Sequence, residues 1–445
     1  MIRRLFIANR GEIALRIIRT ARRLGITSLL GVSEADLLSL PAAQADEVVL
    51  IGPPPSSASY LAIDKIVAAA RAAKADALHP GYGFLSENAT FARAVAAAGI
   101  SFVGPGVASL EAMGDKLRAR HIGVEAGLPV VPGGETADRD AVHARASVTG
   151  FPLLLKAVAG GGGRGMKRVD VPEELDRQLD LAMSEAGAAF GDPRIYVERY
   201  IERGRHIEVQ ILGDGVDAVH LGTRDCSIQR RFQKLVEEAP APGLPASAYE
   251  ALTSSAVRLA RHLRYRGVGT VEYLVDAQTF EFFFLEMNAR IQVEHPVTEA
   301  ITGLDLVEQQ LLVAEGHPLG IAQEAVRFIG HAIEVRINAE DWLEDFRPSP
   351  GIVSHARWPA GRGIRVDSHI AGGGIVPPHY DSLIGKLIVS GGNREEAVIR
   401  LGAALEVLDI QGVATTAGLH RHILRDSRFM RGEVDTRFFE GLNRG

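Results

Sequence analysis

The first strands of this chain are apolar on both faces, and that confines them to the interior of a layered α/β fold. Leu5-Phe6-Ile7-Ala8 is a continuous apolar run, so neither side of it can face water. Asn9-Arg10-Gly11-Glu12 follows. Ile13, Ala14, Ile17, Ile18, Ala21 and Leu24 then recur at helical spacing, and Gly25 stops the helix before Thr27-Ser28-Leu29-Leu30 extends again. The same pattern predicts helices over about 61–73 and 91–98, leading to strands at Ala77-Leu78 and 100–103. Residues 1–112 are therefore expected to form an open parallel sheet with helices on both faces. No G-x-G-x-x-G follows the first strand, which argues against a dinucleotide site. Asn9–Glu12 and His79-Pro80-Gly81-Tyr82-Gly83-Phe84-Leu85-Ser86-Glu87-Asn88 both follow strands, where open α/β sheets place ligands.

Composition narrows the class. The 445 residues carry 49 basic and 55 acidic side chains, a net charge of −6, without a basic block, which argues against a nucleic-acid binder. No apolar run reaches the ~20 residues that a membrane span requires. Met1-Ile2-Arg3-Arg4-Leu5 runs directly into a strand, unlike a signal peptide. The single cysteine, Cys226, excludes an internal disulfide and fits a reducing, cytoplasmic compartment. At ~100–200 residues per domain the length predicts two to four domains. With 48 glycines and 6% aromatic residues, the chain reads as an α/β enzyme rather than a module presenting aromatic platforms.

Phe151-Pro152-Leu153-Leu154-Leu155-Lys156 reads as a strand ending in a lysine. Gly160-Gly161-Gly162-Gly163-Arg164-Gly165-Met166 follows, and Lys167-Arg168-Val169 returns as a strand. Successive glycines contribute no side-chain packing and lose the most backbone entropy on ordering. Their N–H groups can converge on one anion, so the functional reading is a lid over a triphosphate. The alternative is a plain flexible hairpin tip. The spacing is not G-x-x-x-x-G-K-[ST] and no helix follows, so this is not a P-loop. Lys156 and Lys116, the latter in Met113-Gly114-Asp115-Lys116, are candidate phosphate cations.

Thr270-Val271-Glu272-Tyr273-Leu274-Val275 and Phe280-Glu281-Phe282-Phe283-Phe284-Leu285-Glu286-Met287-Asn288 both alternate. Residues two apart on a strand share a face, so Glu286 and Asn288 are expected to project together, above Phe282 and Phe284. Hard oxygen ligands suit Mg²⁺, which takes one or two carboxylates plus substrate phosphates, and Glu272 is the expected second carboxylate. A two-residue turn at Ala277-Gln278 would put Glu272 opposite Phe283, on the wrong face. An odd-length loop or a bulge is therefore expected, with Glu272 opposite Phe282 or Phe284. Arg290, Gln292 and Glu294 keep the parity of Glu286 and Asn288 if the chain stays extended, which would line one face with five polar groups.

At this point the chain resembles known proteins. Phe284-Leu285-Glu286-Met287-Asn288-Ala289-Arg290, with Lys156 and the glycine run, resembles the ATP-grasp superfamily. Ile291-Gln292-Val293-Glu294-His295-Pro296-Val297-Thr298-Glu299 narrows this to biotin-dependent carboxylases. Ala8-Asn9-Arg10-Gly11-Glu12-Ile13-Ala14, the 79–88 segment and Lys234-Leu235-Val236-Glu237-Glu238-Ala239-Pro240-Ala241-Pro242 agree. The resemblance covers residues 2–439 and is to the biotin carboxylase component of acetyl-CoA or acyl-CoA carboxylases.

The resemblance implies a Rossmann-like N-terminal domain (1–112) and an ATP-grasp domain (113–330) with a glycine-rich lid at about 129–200. A mixed α/β, strand-rich C-terminal domain (331–445) follows. It implies MgATP- or MnATP-dependent carboxylation, by bicarbonate, of biotin on a separate carrier. In that reaction carboxyphosphate collapses to CO₂ and phosphate, the phosphate takes the biotin N1 proton, and the enolate attacks CO₂. By position it implies a nucleotide pocket of Lys116, Lys156, Gly161, Gly162, Gly163, Glu198, Arg199, Ile201, His206, Gln229, Glu272, Leu274 and Glu286. The implied metal ligands are Glu272, Glu286 and Asn288. The implied bicarbonate and biotin site is Lys234, Arg290, Gln292, Val293, Glu294, Arg336 and Tyr82, with Lys234, Arg290, Glu294 and Arg336 catalytic. Glu294 is the implied base and Arg336 the implied partner of the enolate. The chemistry is consistent: bicarbonate needs a base beside it, Arg290 can hold a planar anion bidentately, and Arg336 is a permanent cation. Arg199 stands where lysine is common, Ala159 where relatives have a further glycine, and Phe232 where many carry histidine.

Residues 331–445 are richer in short strands and turns, with a helix expected over 394–408, and Asp381 is a candidate for a place near biotin or a dimer contact. Relatives form homodimers, to which the exposed Arg16 and Arg19 are candidate contributors. A biotin attachment sequence is missing, so the carrier and the carboxyltransferase are expected on other chains or in a longer polypeptide. Two alternatives stay open: another ATP-grasp ligase of carbamoyl-phosphate or purine-pathway type, and an inactive nucleotide-binding module. The acyl-CoA finally carboxylated is chosen outside this sequence.

Overall fold

The computed structural model describes residues 1–136, 138–158, 166–231 and 233–442. The apolar strands stack in parallel. β1 (Arg4–Ile7), β2 (Thr27–Ser33), β3 (Glu47–Gly52), β4 (Ala77–His79) and β5 (Ser101–Phe102) lie in the order β3-β2-β1-β4-β5. Leu5 and Ile7 point to one face, against Ile13 and Ile17 of the helix Gly11–Arg23 and against Leu306 and Leu311 from later in the chain. Phe6 points to the other, against Ile66 and Phe91 of the helices Ile63–Ala72 and Ala89–Ala97. Complete burial of both faces is why β1 shows no alternation.

The strand order turns back at β1, so the loops after β1 and β4 leave the sheet side by side. Asn9 joins them: its Nδ2 donates to the carbonyls of Pro80 and Tyr82, each at 2.7 Å. The Tyr82 hydroxyl in turn donates to Glu12 in the first turn of the following helix. The two loop segments singled out in the sequence thus form one unit.

A four-stranded antiparallel sheet follows, made of β6 (Gly133–Thr136), β7 (Leu153–Ala157), β8 (Met166–Val169) and β9 (Ile195–Arg199) in the order β6-β9-β7-β8. The helices Arg139–Thr149 and Leu175–Phe190 supply Val142, Leu175 and Leu179 to a core with Leu153, Leu155 and Val197. Gly161, Gly162 and Gly163, which connect β7 to β8, lie outside the described residues, as do Ala159 and Phe232.

The largest sheet has eight strands. β10 (Gly204–Asp214), β11 (Ala218–Arg230), β12 (Gln233–Ala239), β13 (Arg266–Asp276), β14 (Phe282–Asn288) and β15 (His331–Asn338) are joined by the strands Leu383–Gly391 and Ile364–Ser368. The order is β14-β13-β10-β11-β12-β15, then Leu383–Gly391, then Ile364–Ser368, with all neighbours antiparallel. The sheet therefore runs without a break across residue 330, through the pairing Val236↔Val335 and Glu237↔Glu334. The helix Arg394–Val407 packs on the C-terminal strands, completing the mixed α/β part. The chain thus has an N-terminal parallel sheet, an ATP-grasp fold with its lid sheet, and a strand-rich C-terminal part. No described helix is long and apolar enough to cross a membrane.

The β13–β14 hairpin differs from its expected register. Val275 pairs with Phe282, Leu274 with Phe283 and Tyr273 with Phe284, but Glu272 pairs with Glu286. The extra residue is Leu285, a bulge, and the loop itself is even. Without the bulge Glu272 would face Leu285. The bulge also reverses part of the expectation: Phe282 and Phe284 pack on Tyr273, on the face opposite Glu286. Glu272 thus lies opposite neither phenylalanine.

Gly81 shows how tightly the Asn9 junction is built. It sits at φ +63°, and a Cβ there would lie 2.8 Å from the Asn9 Nδ2 that bridges the two loops. Gly81→Ala should lower stability by about 1–2 kcal/mol from the backbone alone, and more from displacing Asn9. Thermal unfolding of the variant beside the wild type measures it.

Candidate functional site

The site begins on one face of the large sheet. Residues directly opposite one another across antiparallel strands share a face, so β10 places Glu208 between Glu272 of β13 and Arg224 of β11. Glu272 in turn faces Glu286, and Thr270 faces Asn288. Arg224 is wholly buried; it donates through Nε and Nη2 to Glu208 Oε2 at 3.0 and 2.9 Å and also reaches Gln210, Thr270 and Thr298.

Lys234 of β12 enters this carboxylate group. Its ammonium contacts Glu208 directly, Glu272 Oε1 at 3.0 Å and Glu294 Oε1 at 2.8 Å. Burial works against its charge, but the three carboxylates outweigh that and hold Lys234 well above the usual lysine range. The acids respond in kind. Burial would raise Glu208, Glu272 and Glu294; Lys234, with Arg224 or His206 beside it, holds all three below the usual carboxylate range. His206 Nε2 lies 3.0 Å from Glu272 Oε2, which overcomes its burial and raises it to about 9.

Glu294 is fully buried and held from both sides: the oxygen not bound by Lys234 accepts from Arg336 Nη2 at 2.9 Å. Arg336, on β15, also donates through Nε to Glu237 at 2.6 Å. Arg290 donates through Nε to Glu87, through Nη2 to the Asn288 side-chain oxygen and through Nη1 to that of Gln292, each at 2.8 Å. β14 ends at Asn288, and 289–294 is a turning segment leading into the helix His295–Thr302. The polar groups therefore converge through that turn, not through an extended strand.

Lys234, Glu272, His206, Arg336 and Arg290 line one cavity of about 880 Å³, closed by parts of the chain that are remote in sequence; Glu208, Arg224, Glu237, Glu87 and Glu294 are not among its lining residues. Lys116, Lys156, Glu198, His206, Gln229, Lys234, Glu272, Glu286, Asn288, Arg290, Gln292, Val293, Arg336 and Tyr82 are all in its wall. Lys156 on β7 pairs with Glu198 on β9, and Lys116 approaches Glu286 to 4.0 Å. Among the described residues, four of the expected site residues are not in that wall: Glu294, which is bonded to Lys234 and Arg336 of the wall, and three that stand apart. Arg199 turns to Glu281 at 3.4 Å, while Ile201 and Leu274 pack with Val131 and Phe283 in a small apolar cluster. Asp381 reaches the cavity wall. Arg16, expected to be exposed, is instead buried and paired at 2.7 Å with both Glu299 and Asp305. Cys226 is buried and its thiol pushed well above the usual range by burial, which makes it a packing residue and no nucleophile.

The residues present fit a divalent cation. Glu272 and Glu286 face each other across the bulge, and burial first and then the Glu272 charge raise Glu286, a repulsion that a divalent cation held by both would relieve. The carboxylates and imidazole of His206, Glu208 and Glu272 also lie within 4.8 Å of one another, but Lys234 already occupies Glu208. Sequence reading missed Glu208, Arg224, Glu237 and Glu87. For Glu208 a signal existed: His206-Ile207-Glu208-Val209-Gln210 alternates as Glu272's strand does. The others depend on long-range pairing.

The fold and the site define a class, the ATP-grasp ligases. Residues 1–110 match the family model "Biotin carboxylase, N-terminal domain" and 334–441 "Biotin carboxylase C-terminal domain". Residues 115–322 match "Carbamoyl-phosphate synthase L chain, ATP binding domain". The chain is 47% identical to the biotin carboxylase of Pseudomonas aeruginosa, over 99% of this chain and 98% of that one. It is 48% identical to the biotin carboxylase of a Nostoc species, over 99% of both chains. Among solved structures it superposes on a biotin carboxylase–ATP complex from Campylobacter jejuni with a TM-score of 0.92 and 44% identity, covering 99% of both chains. It superposes with a TM-score of 0.90 and 45% identity on the biotin carboxylase domain dimer of the Hydrogenobacter thermophilus 2-oxoglutarate carboxylase, covering 99% of this chain and 97% of that one. That dimer holds MgADP, ADP and bicarbonate. The chain belongs to the biotin carboxylase family and is a ligase.

One buried acid next to the site gives a pH test. Glu334 lies opposite Glu237, wholly buried, and neither carboxylate oxygen has a hydrogen-bond partner among the described residues. Burial first, then the Glu237 charge, push it well above the usual carboxylate range despite Lys386 and Arg336, so it keeps its proton. The unfolded chain loses that proton above about pH 4.5. Glu334's contribution to stability is thus complete below that pH and is lost as the pH rises toward its folded pKa. Glu334→Gln ionises in neither state. Its stability relative to wild type should grow between about pH 5 and 8, by at most about 1.4 kcal/mol per pH unit. Denaturation midpoints of the two proteins across that range measure it, and a pH-independent difference would mean that the folded Glu334 is ionised.

Proposed function

We propose that this chain carboxylates biotin carried on a separate protein or domain, using ATP and bicarbonate. The observation that carries this reading is the Glu294 carboxylate. It is fully buried, held below the usual carboxylate range and clamped between Lys234 and Arg336, which both reach the cavity wall, as the Arg290 guanidinium does.

In this reading Arg290 and Gln292 hold bicarbonate, and the Glu294 carboxylate accepts its proton. Binding that anion beside Lys234 and Arg336 offsets the cations that lower Glu294, which brings its basicity closer to the task. The bicarbonate oxygen forms a bond to the γ-phosphorus as the bond to the β–γ bridging oxygen breaks, releasing ADP. Carboxyphosphate then splits into CO₂ and phosphate. The phosphate removes the biotin N1 proton, Arg336 stabilises the charge left on the ureido oxygen, and N1 attacks CO₂. Lys116 and Lys156 neutralise the triphosphate, glycines 161–163 are assigned as its lid, and Glu198, His206 and Gln229 of the cavity wall complete the nucleotide site, with Arg199, Ile201 and Leu274 assigned to it by position in the family alone. Mg²⁺ or Mn²⁺, held by Glu272, Glu286 and Asn288, would supply charge neutralisation on the phosphates. Tyr82 and Val293 shape the biotin end. The biotin carrier, the carboxyltransferase and a second copy of the chain are the proposed partners.

Glu294→Gln should reduce bicarbonate-dependent ATP cleavage by about 10²–10⁴-fold, with nucleotide affinity unchanged in a direct binding titration. Wild-type turnover in this variant would remove Glu294 as the base. Wild-type ATP cleavage stimulated by ammonia, but not by bicarbonate plus free biotin, would favour a carbamoyl-phosphate-type ligase instead.

A further inference from the structure

Lys386 is wholly buried and stands behind the cavity wall. It lies directly opposite Arg336 in the pairing of β15 with the strand Leu383–Gly391, so both cations project from the same face. Arg336 reaches Glu237 and Glu294. Lys386 reaches two other parts of the chain: its Nζ donates to the Val293 carbonyl at 2.7 Å and lies 3.0 Å from Glu12 Oε1. Glu12 also accepts from the Tyr82 hydroxyl. One ammonium therefore ties the C-terminal strands to the first helix, to a phenol of the cavity wall and to the backbone just before Glu294.

The bond to Val293 matters for geometry. The Val293 carbonyl and the Glu294 N–H belong to one planar peptide unit, so fixing the carbonyl fixes the plane from which the Glu294 side chain departs. Glu294 sits at the start of the helix His295–Thr302 with φ −80° and ψ 10°, in a turn where the Gln292 and Glu294 carbonyls accept from the His295 and Val297 amides at 3.3 Å. The charged bond from Lys386 is shorter than both of these.

We propose that Lys386 is a positioning residue for the reaction: clamped between the Val293 carbonyl and Glu12, it orients the Val293–Glu294 peptide so that the Glu294 carboxylate stays between Lys234 and Arg336. The proposal rests on the reading of Glu294 as the base. A residue that only neutralised Glu12 would need no bond to Val293, and this difference makes the two roles separable.

Lys386→Met alone leaves the Glu12 carboxylate buried without its cation and risks misfolding. The informative protein is therefore the double variant Lys386→Met with Glu12→Gln, which removes both charges, compared with Glu12→Gln alone, which keeps the bond to Val293. Hydrogen exchange of the 290–297 segment, measured without substrates, should be about tenfold or more faster in the double variant and near wild type in Glu12→Gln. The kcat of bicarbonate-dependent ADP formation should fall about 10²-fold in the double variant, as expected for a base displaced by about 1 Å, while KM for ATP stays within about twofold. Wild-type exchange in the double variant, or equal acceleration in both variants, would overturn the clamp. A kcat loss matched by an equal rise in KM for ATP would mean general disruption and overturn it as well. If wild-type protein shows no bicarbonate-dependent turnover, the proposed function fails, while the exchange comparison still decides whether Lys386 holds the peptide.

Discussion

The Lys234 ammonium, shared among Glu208, Glu272 and Glu294, is the contact on which the site depends. Four charges out of water are costly individually, with effective penalties of several kcal/mol per ion. They are tolerated because every carboxylate also has a second partner. Glu208 has Arg224, Glu272 has His206, Asn288 and Gln292, and Glu294 has Arg336. Removing one member would leave another buried and uncompensated, so the group holds together as a unit. It also fixes strand register, because Glu208 can meet Glu272 and Arg224 only if β10 sits between β13 and β11 in the observed alignment.

That interlock gives each charged residue of the set a fixed partner in the fold. Glu294 contributes to it from a turn rather than a strand, and its carboxylate is aimed by charge on both oxygens. Under the proposed reading the arrangement has a direct consequence. When Glu294 accepts a proton it stops being an anionic partner for Arg336, which then keeps only Glu237 and has more positive charge to offer at the end of the cavity assigned to biotin. Base and enolate stabiliser are coupled by one ion pair, and proton uptake at the first prepares the second.

What was legible in the sequence was local. The two-sided apolar run of β1 gave the parallel sheet, and the alternation around Glu272 and Glu286 gave the hairpin and its carboxylates. The requirement that those carboxylates face each other correctly demanded an irregularity. The bulge at Leu285 could not be located, because an extra residue in a strand has no composition signature and Leu285 looks like its neighbours. The same limit hid the burial of Arg16: a helix pattern shows an arginine on a polar face, and only the tertiary approach of Glu299 and Asp305, nearly three hundred residues later, turns that face inward.

The larger omission was that the sheet continues through residue 330. Pairing β12 with β15 brings Arg336 into contact with Glu237 and Glu294, and then places Lys386 beside Arg336 on the next strand. Each of these contacts joins residues roughly 40 to 100 positions apart, so periodicity, which reads a few residues at a time, cannot reveal them. The polar residues of β12, β15 and the strand Leu383–Gly391 look solvent-facing in isolation, yet Glu237, Glu334 and Lys386 are all wholly buried. A strand pattern says that alternate residues share a face; it does not say whether that face meets water or another set of charges. Only the complete sheet decides, and here it converts three apparently exposed polar residues into the back wall of the site.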